Sequence, residues 1–450
     1  MIIGMNRGRV EMNNVTRGVH YSLPILFKII FEATYIYRIS AMFDYFGTYT
    51  KTNYCKAILS WMVFLTLIFL WAELENNKFK SIYGLLMYLS IIPTLSIYWL
   101  KDESTYAFLY IGLYWLMWLA SIFIMDKAGK GKKCADSGKW VPSISNRVVI
   151  CLLFWLIIST FFFSYKYGEM RLYISIGSVY EYRFNTPMPT IFSYLFNWNL
   201  NVLLPFALMV CIKNRKYFMS LICILLFLMS YSIYGNKTML FTIFMILGVA
   251  VLDEINLVHY TDMMVGCALI VCQLITFILP NRTVIALLHR FLSIPAEGHY
   301  YYYDFFSTAG NDFLYLRESI FRFFAKSPYK NLISMTIGAN TKYYPAYVEG
   351  DINNMNNGLF SDAFQNFGIV GVLIYPTVIV LVLYVLLRVM REYDDATQFT
   401  ILISTLFYLS SGYLFSWLLT GGVLVLMVVL HLIKGKAKSN EIVHKSLCTK

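Results

Sequence analysis

Apolar stretches of about twenty residues alternate with short polar joints along nearly the whole chain, a pattern that predicts helices long enough to cross a hydrocarbon core. Twelve such spans are expected: 21–43, 54–72, 81–100, 104–125, 148–165, 190–212, 217–234, 238–255, 263–280, 367–387, 397–414 and 415–433. The first carries Lys28 and Glu32 one helical turn apart. Two opposite charges at that spacing can pair, so this helix is expected either to face the bundle interior or to lie along the membrane surface.

The joints set the orientation. "DKAGKGKKCADSGKW", "KNRK", "RVMREYDD" and "KGKAKSNEIVHK" are rich in lysine and arginine. With the N-terminus in the cytoplasm, an even number of spans between them places all four on the cytoplasmic face, together with the C-terminus. Residues 166–189 and 281–366 then form two loops on the other side, and residues 1–450 form one integral membrane domain. The second loop is too long for a simple connection and should have a function of its own. It holds seven Lys or Arg, seven Asp or Glu and eighteen aromatic residues. Within it, "DFLYLRESIFRFFAKSP" puts Leu314, Ile320, Phe321 and Phe324 at helical spacings, which predicts short amphipathic helices.

Composition agrees with the membrane assignment. The chain is 58% hydrophobic and 14% charged, with a mean hydropathy of +0.60, too little polar surface for a water-soluble globule of 450 residues. The net charge of +12 falls in short clusters between apolar runs and not in a stripe, so no nucleic acid partner is expected. The eight cysteines show neither a disulfide framework nor metal-ligand spacing, and no metal is expected. Cys267 and Cys272, inside an apolar run, read as small buried hydrophobes. No cleavable signal peptide is expected, because the first apolar run carries charges and lacks a small-residue cleavage site.

Motifs for nucleotide phosphates, dinucleotides, zinc proteolysis and serine hydrolysis are missing from the sequence. Candidate chemistry gathers instead between spans. "SVYEYR" ends in Arg183, and "YGNKT" holds Lys237 between two apolar runs. "NRTVIALLHRFLSIPAEGHYYYYDFFS" combines Arg282, His289, Arg290, Glu297, His299 and Asp304 with Tyr300 to Tyr303. Guanidinium groups bind phosphate oxygens in a bidentate fashion, and a carboxylate or imidazole can take a proton from a hydroxyl. Tyrosine rings can stack on sugars. The bland alternative is an interfacial aromatic belt with solvated charges, which explains the tyrosines alone but not acid, base and cation together.

Those segments, with "NNGLFSDAFQNFGIVGVLIYP" at 356–376, resemble the Wzy-type polymerases of bacterial O-antigen and capsular polysaccharide, also called oligosaccharide repeat unit polymerases. The R-x10-G pattern of some members is absent from the arginines of both loops. The resemblance implies an all-α, GT-C-like bundle in the bacterial inner membrane. It implies a glycosyltransferase that polymerises undecaprenyl-pyrophosphate-linked repeat units at the periplasmic face without a cofactor. Arg290, with some of Arg183, Lys237 and Arg282, would neutralise the departing pyrophosphate. Glu297, or else His289, His299 or Asp304, would deprotonate the acceptor hydroxyl, while Tyr300 to Tyr303 would hold sugars. Implied partners are the lipid-linked oligosaccharide, membrane lipids, and the chain-length regulator and flippase of the same pathway. A lipid-linked oligosaccharide flippase and an O-antigen ligase are the alternatives; the lopsided loop layout disfavours the first, and the motif set the second.

Overall fold

The computed structural model describes residues 18, 20–74, 77–130, 146–169, 188–234, 238–348 and 353–431, and among them every regular element is helical. In chain order the helices are α1 (20–43), α2 (Tyr54–Ala72), α3 (Lys78–Leu100), α4 (Thr105–Lys130) and α5 (Asn146–Tyr167). Then come α6 (Thr190–Lys213), α7 (Tyr217–Tyr234), α8 (Thr238–Glu254), α9 (Val258–Ile278) and α10 (282–307). The series ends with α11 (Ile333–Gly338), α12 (Phe360–Val389), α13 (Asp395–Ser411) and α14 (Leu414–His431). Eight of these are long and apolar enough to cross a membrane: α2, α3, α4, α5, α6, α9, α12 and α14. The other four expected spans are helical as well, as α1, α7, α8 and α13. Helices suit such a chain because lipid offers no partner to backbone N–H and C=O groups, which a helix satisfies within itself.

The chain divides into two compact units. The first comprises Met1–Lys132, His259–Leu381 and Ser410–Tyr413; the second comprises Lys133–Val258, Val382–Leu409 and Leu414–Lys450. In the first unit α3 is the central post, and every residue of its second half, Ile92–Leu100, is buried. Helix α2 packs along that half, α9 along the first half, and the second half of α10 against the same central post and α4. Flanking helices turn apolar stripes outward, such as Ile58, Met62, Leu65 and Phe69 on α2, as expected where lipid replaces water.

Helix α1 faces the interior. Lys28 Nζ lies 2.7 Å from Glu32 Oε1, realising the pairing expected from their spacing. The ammonium also donates to Ser60 Oγ (3.0 Å) and Ser96 Oγ (2.9 Å), while Ser96 Oγ and Trp99 Nε1 donate to Glu32 Oε1. A charge at this depth persists only with such partners.

Four helices widen into π turns, at Tyr35–Ile39, Met87–Ile91, Asn199–Leu203 and His289–Ser293. Three of these are followed two residues later by proline: Pro93, Pro205 and Pro295. Proline has no N–H to donate, and its ring crowds the carbonyl one turn back, so the preceding turn opens. Helix α12 bends at Gly368 (φ 55°, ψ −133°), where the Phe313 ring lies so close that a Cβ would overlap it.

In the second unit Trp198 Nε1 donates to Leu419 O (2.6 Å), and Asn199 is held by Trp155 and Ser159. Lys213 at the end of α6 pairs with Asp253 on α8.

Two expectations are corrected. The 312–328 stretch is not an amphipathic helix but a series of turns with one 3-10 turn, Ile320–Phe323. Tyr315 and Leu316 adopt left-handed φ values of 48° and 63° there, and Asn366 Oδ1 accepts the N–H of Leu316 (2.8 Å), so side-chain bonds replace a helical ladder. Cys267 and Cys272 are exposed on the outward face of α9 rather than buried in protein.

Candidate functional site

Glu297 sits on α10, one turn before Tyr301, with its side chain buried. Two hydroxyl donors and one ammonium, from three elements, surround its carboxylate. Tyr35, in the π turn of α1, donates to Oε1 (2.8 Å); Tyr301 donates to Oε2 (2.9 Å); Lys101 Nζ lies 3.5 Å from Oε2. Lys101 follows the last residue of α3, where the helix dipole favours a cation. Its ammonium also donates to Tyr301 Oη (2.7 Å) and Gly47 O (2.8 Å). Gly47 presents that carbonyl from a left-handed conformation, φ 80°, at the end of α1, and a side chain there would strike the carbonyl of Tyr343.

The network extends from α10 to the segment after α11. The Tyr301 ring stacks on Tyr343 at 4.7 Å, and Tyr343 Oη donates to Asp304 Oδ2 (2.6 Å), the oxygen that also pairs with Lys342. Glu103, between α3 and α4, joins the same charge cluster. Burial pushes its carboxyl up to about 7; negative Glu297 and Asp304 add to the rise, and Lys101 opposes it. Beside it Asp102, in a left-handed conformation that aspartate tolerates, pairs with Lys56 (2.7 Å) and Lys51 (3.2 Å).

His289 lies in the π turn of α10, its ring stacked on Phe43 at 4.5 Å. Its Nε2 is buried and has no hydrogen-bond partner among the described residues. Burial holds its pKa down at about 4, so the imidazole is neutral at ordinary pH. The next residue, Arg290, is exposed, and its charge is felt by both His289 and Tyr344. Arg282 is also exposed, at the start of α10, where Asn281 Oδ1 caps the helix by accepting from Thr283 N (2.8 Å). The two arginines are eight residue steps apart along the helix, a rise of about 12 Å.

The remaining candidates serve other ends. His299 is spent in packing: its Nδ1 lies 2.9 Å from Ser361 Oγ and 3.3 Å from Asn357 Nδ2, which itself donates to Pro295 O and Ser361 Oγ (2.9 Å each). Its Nε2 faces Ser90 Oγ at 3.4 Å, so both ring nitrogens have a polar neighbour. Tyr300 and Tyr302 are core residues whose hydroxyls donate to the carbonyls of Thr94 (2.9 Å) and Met355 (2.8 Å). Tyr300 therefore offers no open ring face to a sugar here. Tyr303 is half-buried between Tyr110 (5.6 Å) and Phe364 (4.9 Å). Arg183 and Lys237 lie outside the described residues.

The structure thus brings Glu297, His289, Arg290 and Asp304 onto one helix and adds Tyr35, Lys101, Glu103, Lys342 and Tyr343, which sequence reasoning passed over. The run Lys101-Asp102-Glu103 at the end of an apolar span was a signal available for two of them; Tyr35 had none. Among the described residues no group of three His, Cys, Asp or Glu side chains could hold a metal ion. Chemically, the cluster offers a carboxylate whose donors are all in place, one unpartnered neutral imidazole nitrogen, and an exposed guanidinium beside it. No family model, no curated protein and no solved structure matches this chain.

Proposed function

We propose that this chain is a Wzy-type polysaccharide polymerase of the bacterial inner membrane, with the Lys101–Glu297 end of the first unit facing the periplasm. It would be a glycosyltransferase of about twelve spans in a GT-C-like bundle. Its donor is a growing glycan on undecaprenyl pyrophosphate, and its acceptor is the terminal hydroxyl of a new lipid-linked repeat unit. The acceptor oxygen attacks the anomeric carbon, the bond from that carbon to the pyrophosphate oxygen breaks, and the lipid pyrophosphate leaves with the electron pair.

One observation carries the reading: the unpartnered Nε2 of His289, next to the exposed Arg290 and on the same helix as the buried Glu297 network. The other candidate bases are occupied, Glu297 by two hydroxyls and the Lys101 ammonium, Asp304 by Lys342 and Tyr343, and His299 on both nitrogens. In this reading Arg290 meets the pyrophosphate and offsets its developing charge. The arriving anion raises the proton affinity of the neighbouring imidazole, so His289 accepts the acceptor's proton when substrate is bound. Glu297, Tyr35, Tyr301 and Lys101 position the helix that carries both.

The test is the glycan made by cells lacking the gene and complemented with variants confirmed in the membrane. His289→Gln and Arg290→Ala should each reduce long chains to capped single repeats, a loss of at least about a hundredfold in polymer for the proton acceptor. Normal chain length in both would overturn the assignment. Unattached lipid-linked polymer in the deletion strain would point to the ligase, and repeats trapped in the cytoplasm to the flippase.

A further inference from the structure

The segment SIFRFFAKSPYKNL, residues 319–332, carries Arg322, Lys326 and Lys330 and no acidic residue. At its turn two phenylalanines point away from the protein: Phe324 is 86% exposed and Phe321 46%. Two phenylalanines so placed beside three cations suit neither water nor a hydrocarbon core. They suit the boundary between the two, where aromatic rings lie at the level of lipid headgroups and basic groups meet phosphates.

The segment is fastened at its base. The Glu318 carboxylate accepts from Ser327 Oγ (3.0 Å) and from the N–H of Ile333 (3.0 Å), which closes the chain into a loop. Just before it, the N–H groups of Leu314 and Tyr315 donate to the carbonyls of Gln365 (2.9 Å) and Asn366 (3.3 Å), at the start of α12. The next residues of α12, Ile369, Val370, Leu373 and Ile374, are exposed and apolar on a helix able to cross a membrane. The loop therefore leaves the protein where the lipid-facing surface of α12 begins. Tyr315, 51% exposed, packs on Phe367 of α12 (6.0 Å), with the Arg317 guanidinium 5.7 Å from its ring centre. This continuity, with the uniform positive charge, favours a bilayer over a protein partner.

We propose that residues 319–332 form an anchor for anionic phospholipid: Phe321 and Phe324 enter the interface, and Arg322, Lys326 and Lys330 contact headgroup phosphates. The anchor also touches the catalytic helix of the proposed enzyme. Tyr329 packs on Phe305 (5.5 Å) and Phe306 (6.2 Å) at the end of α10 and donates its hydroxyl to Asp312 O (2.8 Å). Lipid binding is thereby tied to the position of α10.

The experiment is native mass spectrometry of the purified full chain titrated with phosphatidylglycerol or phosphatidylcholine, so its outcome does not depend on any enzymatic activity. The wild-type chain should prefer phosphatidylglycerol. Lys326→Gln with Lys330→Gln should weaken that lipid about twenty-five-fold, about fivefold per cation, and leave phosphatidylcholine unchanged. Phe321→Ala with Phe324→Ala should weaken both lipids, and saturating inorganic phosphate should leave phosphatidylglycerol bound. All four side chains are on the surface, so both double variants should fold, as their unfolding temperatures would verify. Unchanged phosphatidylglycerol binding in both variants would overturn the proposal. So would displacement by inorganic phosphate together with no effect of the phenylalanine changes, the signature of a bare phosphate site.

Discussion

Glu103 shows how much a single carboxyl can report on the cluster around it. Its unfolded pKa is the ordinary 4.5, and in the folded protein burial, with Glu297 and Asp304 nearby, pushes it up to about 7. Between those values the folded chain holds a proton that the unfolded chain has released, so stability is greatest below the lower value and falls as pH rises through the upper one. Thermal unfolding of the purified protein should therefore show a midpoint that drops between about pH 5 and about pH 7.5. Glu103→Gln, which keeps the shape and removes the titration, should flatten that drop and be the more stable protein at pH 8. Parallel pH profiles for the two proteins would mean that Glu103 ionises freely. Lys101 and Glu297 are both buried, each with the other as its partner. Such a pair is costly to break and contributes modestly when intact, so its value here is to fix where Tyr35 and Tyr301 stand.

Among the elements, α10 decides the site, and its π turn sets the register between His289 and Glu297. Pro295 cannot donate to the carbonyl of Phe291, so the His289–Ser293 turn stays wide. With Pro295→Ala the missing donor returns and the turn can close to an ordinary one, which rotates His289 and Arg290 by about 100° relative to Glu297. The variant should keep its unfolding temperature or gain from the restored bond, yet lose polymer formation. A full-length glycan ladder from a well-folded variant would separate the turn from function. How far α10 was legible in sequence follows from the same residues. Its chemistry stood out, because acid, base and cation crowd one stretch. Its burial did not, because a search for apolar runs passes over a helix that is buried on all sides yet carries Glu297, His299 and Tyr301. Their partners Tyr35, Ser90 and Lys101 lie roughly two hundred positions or more away in the chain. The Lys28–Glu32 pair was legible because both halves lie within one turn. The helix expected over 312–328 failed for the complementary reason: its periodicity was local, and the bond from Leu316 to Asn366 was not.

For the whole molecule, polar contacts within each unit tie connections together at the helix ends. In the first unit the α1–α2 connection and the end of α3 share one end, where Lys51 N donates to Leu100 O (2.8 Å) and Asn53 N to Trp99 O (2.9 Å). The opposite end joins the end of α2, the start of α3 and the start of α9, through Trp71 Nε1 to Lys80 O (2.8 Å) and Ser81 Oγ to His259 O (3.0 Å). In the second unit Lys213, at the end of α6, pairs with Asp253 at the end of α8 and feels the charge of Asp394 before α13. Chains that alternate in this way leave one choice to make, which face is cytoplasmic, and the proposed reading takes the face where the short joints are rich in lysine and arginine. Lys51 and Lys342 should then be periplasmic, and Arg215 and Glu392 cytoplasmic. A chain with its own cysteines replaced by serine, carrying one new cysteine at each of these positions in turn, tests this with a membrane-impermeant maleimide on intact cells whose outer membrane has been opened. Labelling at 51 and 342 and protection at 215 and 392 are the expected result. The reverse pattern would put the Lys101–Glu297 cluster in the cytoplasm, away from any lipid-linked glycan exported to the periplasm, and the proposed polymerase would have its chemistry on the wrong side of the membrane.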